Sequence, residues 1–333
     1  MLKITTTLLA VLLTLLTGPS HAEEPVTLLN VSYDVTREFY NEYNPLFVQY
    51  WQGKSGETVA INQSHGGSSK QARAVIDGLD ADVVTMNQQT DIDSLAEKGG
   101  LVEKNWRTRF PDNSSPYRST IVFLVRKGNP KHIRDWDDLI RPDVSPIIPN
   151  PKTSGNGRYS YLGAWGYAKE KFGTDDKARE FVGKLFKRVP ILDTGGRGAT
   201  TTFVERGIGD VLLTFENEVY LIAKKINPKD FDVVIPSVSI EADAPVAVVD
   251  KVVDKRGTRK QAEAYLQYLW SDEAQKLIAK HYFRPVSQTV LQESHAIFPQ
   301  LKLLTIEQVA GDWASAQKKH FNDGGIFDQI YSP

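Results

Sequence analysis

The 333-residue sequence contains no cysteine. That excludes disulfides, thiolate metal sites, iron–sulfur clusters, thiol nucleophiles and a lipid anchor on an N-terminal cysteine. A chain of this length builds its core without cross-links. Charge of one sign is also missing: 40 Lys and Arg face 41 Asp and Glu, a formal net charge of −1. No basic run reaches five residues, so there is no nucleic-acid footprint. No stretch of 18 apolar residues occurs, so nothing reads as a membrane span. The phosphate-cradling pattern G-x-x-x-x-G-K-[ST], the dinucleotide pattern G-x-G-x-x-G, the zinc pattern H-E-x-x-H and the nucleophile elbow G-x-S-x-G are all absent. Beyond residue 22 the histidines are His65, His132, His281, His295 and His320, and none sits at ligand or catalytic spacing. The chain therefore reads as a non-enzyme, with no catalytic residue, no metal and no cofactor.

What is present is an ordinary globular composition, 41% hydrophobic and 24% charged, long enough for two lobes of roughly 150 residues. The N-terminus carries the one targeting segment. Lys3 supplies a positive start and Leu8 to Leu16 an apolar stretch. Ser20-His21-Ala22 places small residues at −3 and −1. This reads as a secretory signal over residues 1–22, cleaved after Ala22, and hence as an exported, periplasmic protein.

The most informative pattern occurs three times. A β-type run ends, a short glycine-bearing loop follows, and a helix starts. The copies centre on His65-Gly66-Gly67-Ser68, on Thr153-Ser154-Gly155-Asn156-Gly157 and on Asp193-Thr194-Gly195-Gly196-Arg197-Gly198. First-turn N–H groups lack intrahelical partners, and the helix dipole favours an anion there. Glycine admits close approach, and serine adds a hydroxyl donor.

Strands and helices alternate, which predicts an α/β fold with mostly parallel sheets. Val189 to Leu192 reads as the strand before the third loop. The apolar strands near 120–125 and 245–249 read as two chain crossings. They divide the chain into 23–119 as the first part of lobe one, 120–249 as lobe two, and a mainly helical 250–333 returning to lobe one. Ligands of open α/β sheets sit outside the carboxyl ends of strands. A ligand held by all three loops would lie between the lobes.

Around those loops stand His65, Asp34, Arg158 and Arg197. His65 reads first as a loop histidine bonding nearby backbone, and Asp34 as a capping or turn residue. The arginines either bond strand-end acceptors or lend a positive field. A cage of donors alone suits a fully ionised oxyanion such as sulfate. Hydrogen phosphate keeps a proton and gains from an acceptor carboxylate. The first two loops carry no Asp or Glu, while Asp193 begins the third.

These loops also carry a resemblance. LLNVSYDVTREFY, QSHGGSSKQA, STIVFLVRKGNPK, PNPKTSGNGRY, DTGGRGATTTFVERGIGDVLLTFENE, AEAYLQYLWSDEAQ and HFNDGGIFDQI together resemble the periplasmic sulfate- and thiosulfate-binding proteins of ABC importers, over nearly the whole length after residue 22. The resemblance implies a type II periplasmic binding-protein fold, two lobes closing on the anion by a hinge, and delivery to permease subunits in the inner membrane. It implies a monomer free of nucleic acid. By position, the family's donors fall on the N–H groups of Ser68, Ser154, Gly155, Asn156 and Gly196, with the Ser154 hydroxyl. Where sulfate-specific members have a tryptophan, this chain has Phe215, in TFENE, which brings no donor; DTGGRGATTTF, PKTSGN and DVVTMNQQTD also look more like the thiosulfate branch. A molybdate or phosphate receptor of the same fold remains an alternative, as does an exported hydrolase or transferase acting on a sulfated or phosphorylated metabolite.

Overall fold

A computed structural model describes residues 25–331; the expected signal segment lies outside them. Two sheets form the frame. In the first, β1 (Val26–Tyr33) lies between β2 (Val59–Gly66) and β3 (Val83–Thr85), parallel to both, and β3 pairs antiparallel with β9 (Val246–Val248). In the second, the order is β11 (Lys302–Leu304), β8 (Val238–Asp243), β4 (Tyr117–Arg126), β6 (Val211–Phe215) and β5 (Pro146–Ile147). The strands β7 (Phe231–Val234) and β10 (Arg284–Pro285) also pair with β4.

The expectation of a mostly parallel sheet in each lobe holds for the first sheet and is corrected for the second. There only β5–β6 and β8–β11 are parallel, while β4 runs antiparallel to β6, β7, β8 and β10. The reason is the path of the chain. It enters the second lobe along β4 and leaves along β8, so the two long crossing strands must run in opposite directions.

Burial explains why β4 reads as one unbroken apolar run. Ile121, Phe123 and Val125 point into a large core with Trp136, Tyr161 and Ile240. Val122 and Leu124 point the other way, to Ile147, Phe203 and Leu212. A strand covered on both faces carries hydrophobic residues at every position. The helix Gly155–Phe172 shows the same in helical form: its first fourteen residues are all buried. It begins on the Ser154 cap, whose hydroxyl accepts the Gly157 N–H, and ends on Gly173 at φ +81°.

The assignment of residues 250–333 to the first lobe is corrected in part. The helices Arg259–Gln267 and Asp272–Lys280 do pack on the Arg37–Ser55 helix, through Tyr43 Oη on the Tyr265 carbonyl (2.5 Å) and the stacked rings of Tyr50 and Tyr268. From Lys302 onward the chain belongs to the second lobe. β11 extends that sheet, His320 Nδ1 lies 2.9 Å from Tyr161 Oη, and Phe327 packs edge-on to Phe186. The chain thus crosses a third time, near β10. The expected strand Val189–Leu192 is also corrected: it forms no ladder, because its neighbour 149–153 is itself a loop. The two segments are joined by the Asn150 N–H on the Asp193 carbonyl (2.8 Å) and the Thr153 hydroxyl on the Thr194 carbonyl (3.0 Å).

Candidate functional site

The three glycine loops meet at Gly67. A Cβ placed there would stand 3.6 Å from the Thr153 carbonyl oxygen and 3.7 Å from that of Thr194. One placed on Gly195 would stand 3.9 Å from the Gly67 Cα. Gly67 caps the helix Ser68–Ile76, Ser154 the helix Gly155–Phe172 and Gly195 the helix Gly196–Thr200. One helix end comes from the first lobe and two from the second.

Ser68, Gly155, Asn156 and Gly196 are first-turn residues, and all are buried. Their N–H groups have no acceptor within their own helices. A buried donor without a partner is expensive, so donors of this kind at three adjoining helix starts suit an acceptor between the lobes. Ser154 departs from the expected pattern. Its N–H donates to the Asn150 carbonyl at 2.9 Å, which leaves the hydroxyl as its free donor. Phe215 is 3% exposed and meets the rings of Tyr33 and Tyr159 edge-on, with centroids 6.3 and 5.8 Å away. It is tied to the donors through its neighbour, since Asn156 Nδ2 donates to Thr214 Oγ1 at 2.7 Å.

Residues 29–284 match the family model described as bacterial extracellular solute-binding protein. The chain belongs to that family. The "thiosulfate-binding protein" of Pseudomonas aeruginosa is 61% identical over 316 residues, 95% of each chain. The "sulfate-binding protein" of Escherichia coli is 54% identical over 95% of this chain and 96% of its own. Among solved structures, the sulfate-binding protein SubI of Mycobacterium tuberculosis superposes with a TM-score of 0.81 at 33% identity, over 89% of this chain and 100% of that one. A periplasmic thiamin binding protein shares the fold at a TM-score of 0.69 and 16% identity, over 95% of this chain and 99% of that one.

In this solute-binding protein Asp34, Arg197, Arg158 and His65, beside the loops, are engaged by other protein groups. Asp34 Oδ2 accepts the Arg197 N–H at 3.1 Å and lies as close to where a Gly195 Cβ would be. Burial pushes the Asp34 carboxyl above its ordinary value, opposed by that N–H and by the Arg197 charge. The Arg197 guanidinium bonds Glu38 of the first lobe (3.2 Å) and faces Glu218 of the second (3.6 Å). Arg158 is 7% exposed; its Nε donates to the Pro151 carbonyl (3.0 Å) and its Nη1 to Ser69 Oγ (3.4 Å). The His65 ring reaches the Tyr33 carbonyl (3.3 Å), and burial lowers its pKa below the ordinary histidine value. Asp34–Arg197, Arg197–Glu38 and Arg158–Ser69 each join one lobe to the other. Glu38 and Glu218 had no signal in sequence, because what makes them neighbours is the closed cleft.

Glu218 has a measurable consequence. It is fully buried, its Oε1 accepts the Thr200 hydroxyl at 3.0 Å, and its Oε2 has no hydrogen-bond partner. Burial pushes its carboxyl up to about 7, with Arg197 opposing. A carboxyl raised on folding holds its proton in the folded state while the unfolded chain has lost it. Its contribution is therefore present below the ordinary carboxylate value and is lost as pH rises through about 7. His320 works in the opposite direction: burial pulls it down to about 4, so its contribution grows as pH rises toward the ordinary histidine value. The two slopes overlap, and a difference between variants separates them. Glu218→Gln is expected to gain stability relative to the parent between pH 5 and pH 8, by at most about 3 kcal/mol. Denaturant melts at stepped pH check it; a constant difference would exclude titration of Glu218 in that window.

Proposed function

We propose that the chain is a periplasmic receptor that captures sulfate or thiosulfate between its lobes and delivers it to the membrane permease of an ABC importer. The observation that carries this is the convergence of buried first-turn N–H groups from both lobes, with no free cation among them. Such a cage neutralises a dianion by dipoles and hydrogen bonds alone. The donors are the N–H groups of Ser68, Gly155, Asn156 and Gly196 and the Ser154 hydroxyl. The name and the 61% identity of the Pseudomonas aeruginosa relative support thiosulfate within that class; so does an aromatic wall at Phe215, which offers a poorly accepting terminal sulfur an apolar surface. At the cage edge the Asp34 carboxylate is occupied by the Arg197 N–H, which leaves it little acceptor capacity for a protonated phosphate. The receptor acts as an exported monomer, without catalysis.

Isothermal titration with sulfate, thiosulfate, molybdate and phosphate is the test. Heat is expected from the first two. Ser154→Ala removes a donor to a charged group, worth about 1.5–3 kcal/mol, so affinity should fall roughly ten- to hundredfold, while the melting temperature falls only by what the lost helix cap contributed, about 1 kcal/mol. An unaltered dissociation constant would remove the second loop from the site. Phe215→Trp should move the preference about tenfold toward sulfate, because an indole N–H gives a sulfate oxygen a donor that a terminal sulfur accepts poorly. Equal weakening of both anions would mean that the larger ring overpacks against Tyr33 and Tyr159 and that Phe215 does not set selectivity.

A further inference from the structure

Asn87 follows β3 in the first lobe and is 5% exposed. Its N–H donates to Ser68 Oγ at 3.2 Å, and the same hydroxyl lies 3.5 Å from the Met86 sulfur. This holds the residue against the first glycine loop. Its side chain reaches the second loop, in the other lobe: a Cβ built on Gly155 would stand 2.7 Å from Asn87 Cγ and 2.9 Å from Nδ2, and closer still to Oδ1. The amide therefore covers the Gly155 Cα, at the junction of the first and second loops.

Oδ1 of that amide is buried and has no hydrogen-bond partner among the described residues. A buried amide without partners is costly. A half-turn about its Cβ–Cγ bond exchanges oxygen for nitrogen in the same space and presents two N–H donors where the oxygen stands. We propose that Asn87 is an anion contact, its –NH2 donating to a ligand oxygen between the Ser68 and Gly155 N–H groups. The proposal rests on the anion-receptor reading above and adds a neutral side-chain donor from the lobe opposite Phe215, which has none to give. An oxygen is common to sulfate and thiosulfate, so Asn87 sets affinity for the class, and Phe215 the choice within it.

The experiment titrates sodium sulfate and sodium thiosulfate into the parent, Ser154→Ala, Asn87→Ala and Asn87→Asp, with thermal melts of each free protein. Asn87→Ala should weaken both anions about tenfold or more. Asn87→Asp keeps the shape but sets a carboxylate against a dianion. It should lose a hundredfold or more at pH 8 and recover as the carboxyl is protonated at lower pH, a dependence that a packing role would not create. In the parent, the Asn87 side-chain amide resonances should shift on saturation with thiosulfate. If both Asn87 variants bind as the parent does while Ser154→Ala is weakened, Asn87 is not a contact and the site stands. If the parent takes up neither anion, or Ser154→Ala is unaffected, the receptor site itself fails and Asn87 with it.

Discussion

Gly155→Ala is expected to weaken sulfate and thiosulfate binding at least hundredfold while leaving the free protein as stable as the parent. The three atoms nearest to a methyl at this position are Cγ, Oδ1 and Nδ2 of Asn87, in the other lobe. The clash exists only when the lobes are together. Asn87 cannot retreat easily, because its N–H is held on Ser68 Oγ and its side chain is buried. Overpacking of this kind costs about 1–3 kcal/mol and sometimes more. Here it adds to the loss of the helix-end contact at Gly155. Two residues further along the same helix the same change acts differently. A methyl on Gly157 would meet backbone only: the Pro149 carbonyl oxygen, the Asn150 carbonyl carbon and the Pro151 nitrogen, the last two at 2.8 Å. Gly157→Ala should therefore lower the melting temperature, because the loop under it must deform in every state. Titration and thermal melts on the two variants separate closure from folding. A Gly155→Ala protein that binds normally would mean that the lobes do not approach this closely around the ligand.

Arg284→Met should cost about 3–5 kcal/mol of stability. Glu216 is fully buried at the start of the helix Glu216–Leu221, directly after Phe215. Both of its oxygens are taken by one guanidinium, from Nε at 2.7 Å and Nη2 at 2.9 Å, and Arg284 also reaches the Pro299 carbonyl. Burial already pushes the Glu216 carboxyl up, and Arg284 is the first group opposing it. Methionine fills the stem's space but leaves the carboxylate uncompensated. Its pKa then rises further, so the loss should grow as pH rises through that value. Glu216→Gln in the same background removes the stranded charge and should restore much of the stability. β10, which carries Arg284, pairs with the first residues of β4 at the crossing between lobes, so the pair fixes the wall at Phe215 relative to the hinge. Denaturant melts of the two variants decide it; equal loss in both would mean that packing rather than charge holds this corner.

The loops were legible because a helix start is a local event. Gly67-Ser68, Ser154-Gly155 and Gly195-Gly196 announce a cap and an exposed first turn through nearest neighbours alone. Asn87 carried no such mark, as its significance is a contact with Gly155 across 68 positions of chain. Val189–Leu192 misled for the converse reason: β-branched and apolar residues suit a strand, yet a strand needs a partner, and the adjoining 149–153 segment already bends into the second loop. The C-terminal residues 302–331 showed helical patterning, which says that a face will be buried but not against which lobe.

By itself, then, the sequence determined most of the alternation of strands and helices, the three glycine-bearing helix starts and the absence of thiols, because each follows from residue type and short spacing. Only the tertiary structure decided that β4 runs antiparallel through the second sheet, that the Ser154 N–H is taken by the Asn150 carbonyl, and that Asp34, Glu38, Glu218 and Arg197 share one closed seam. Those outcomes depend on which distant groups compete for the same donor or the same space, and that competition is settled only when the lobes pack.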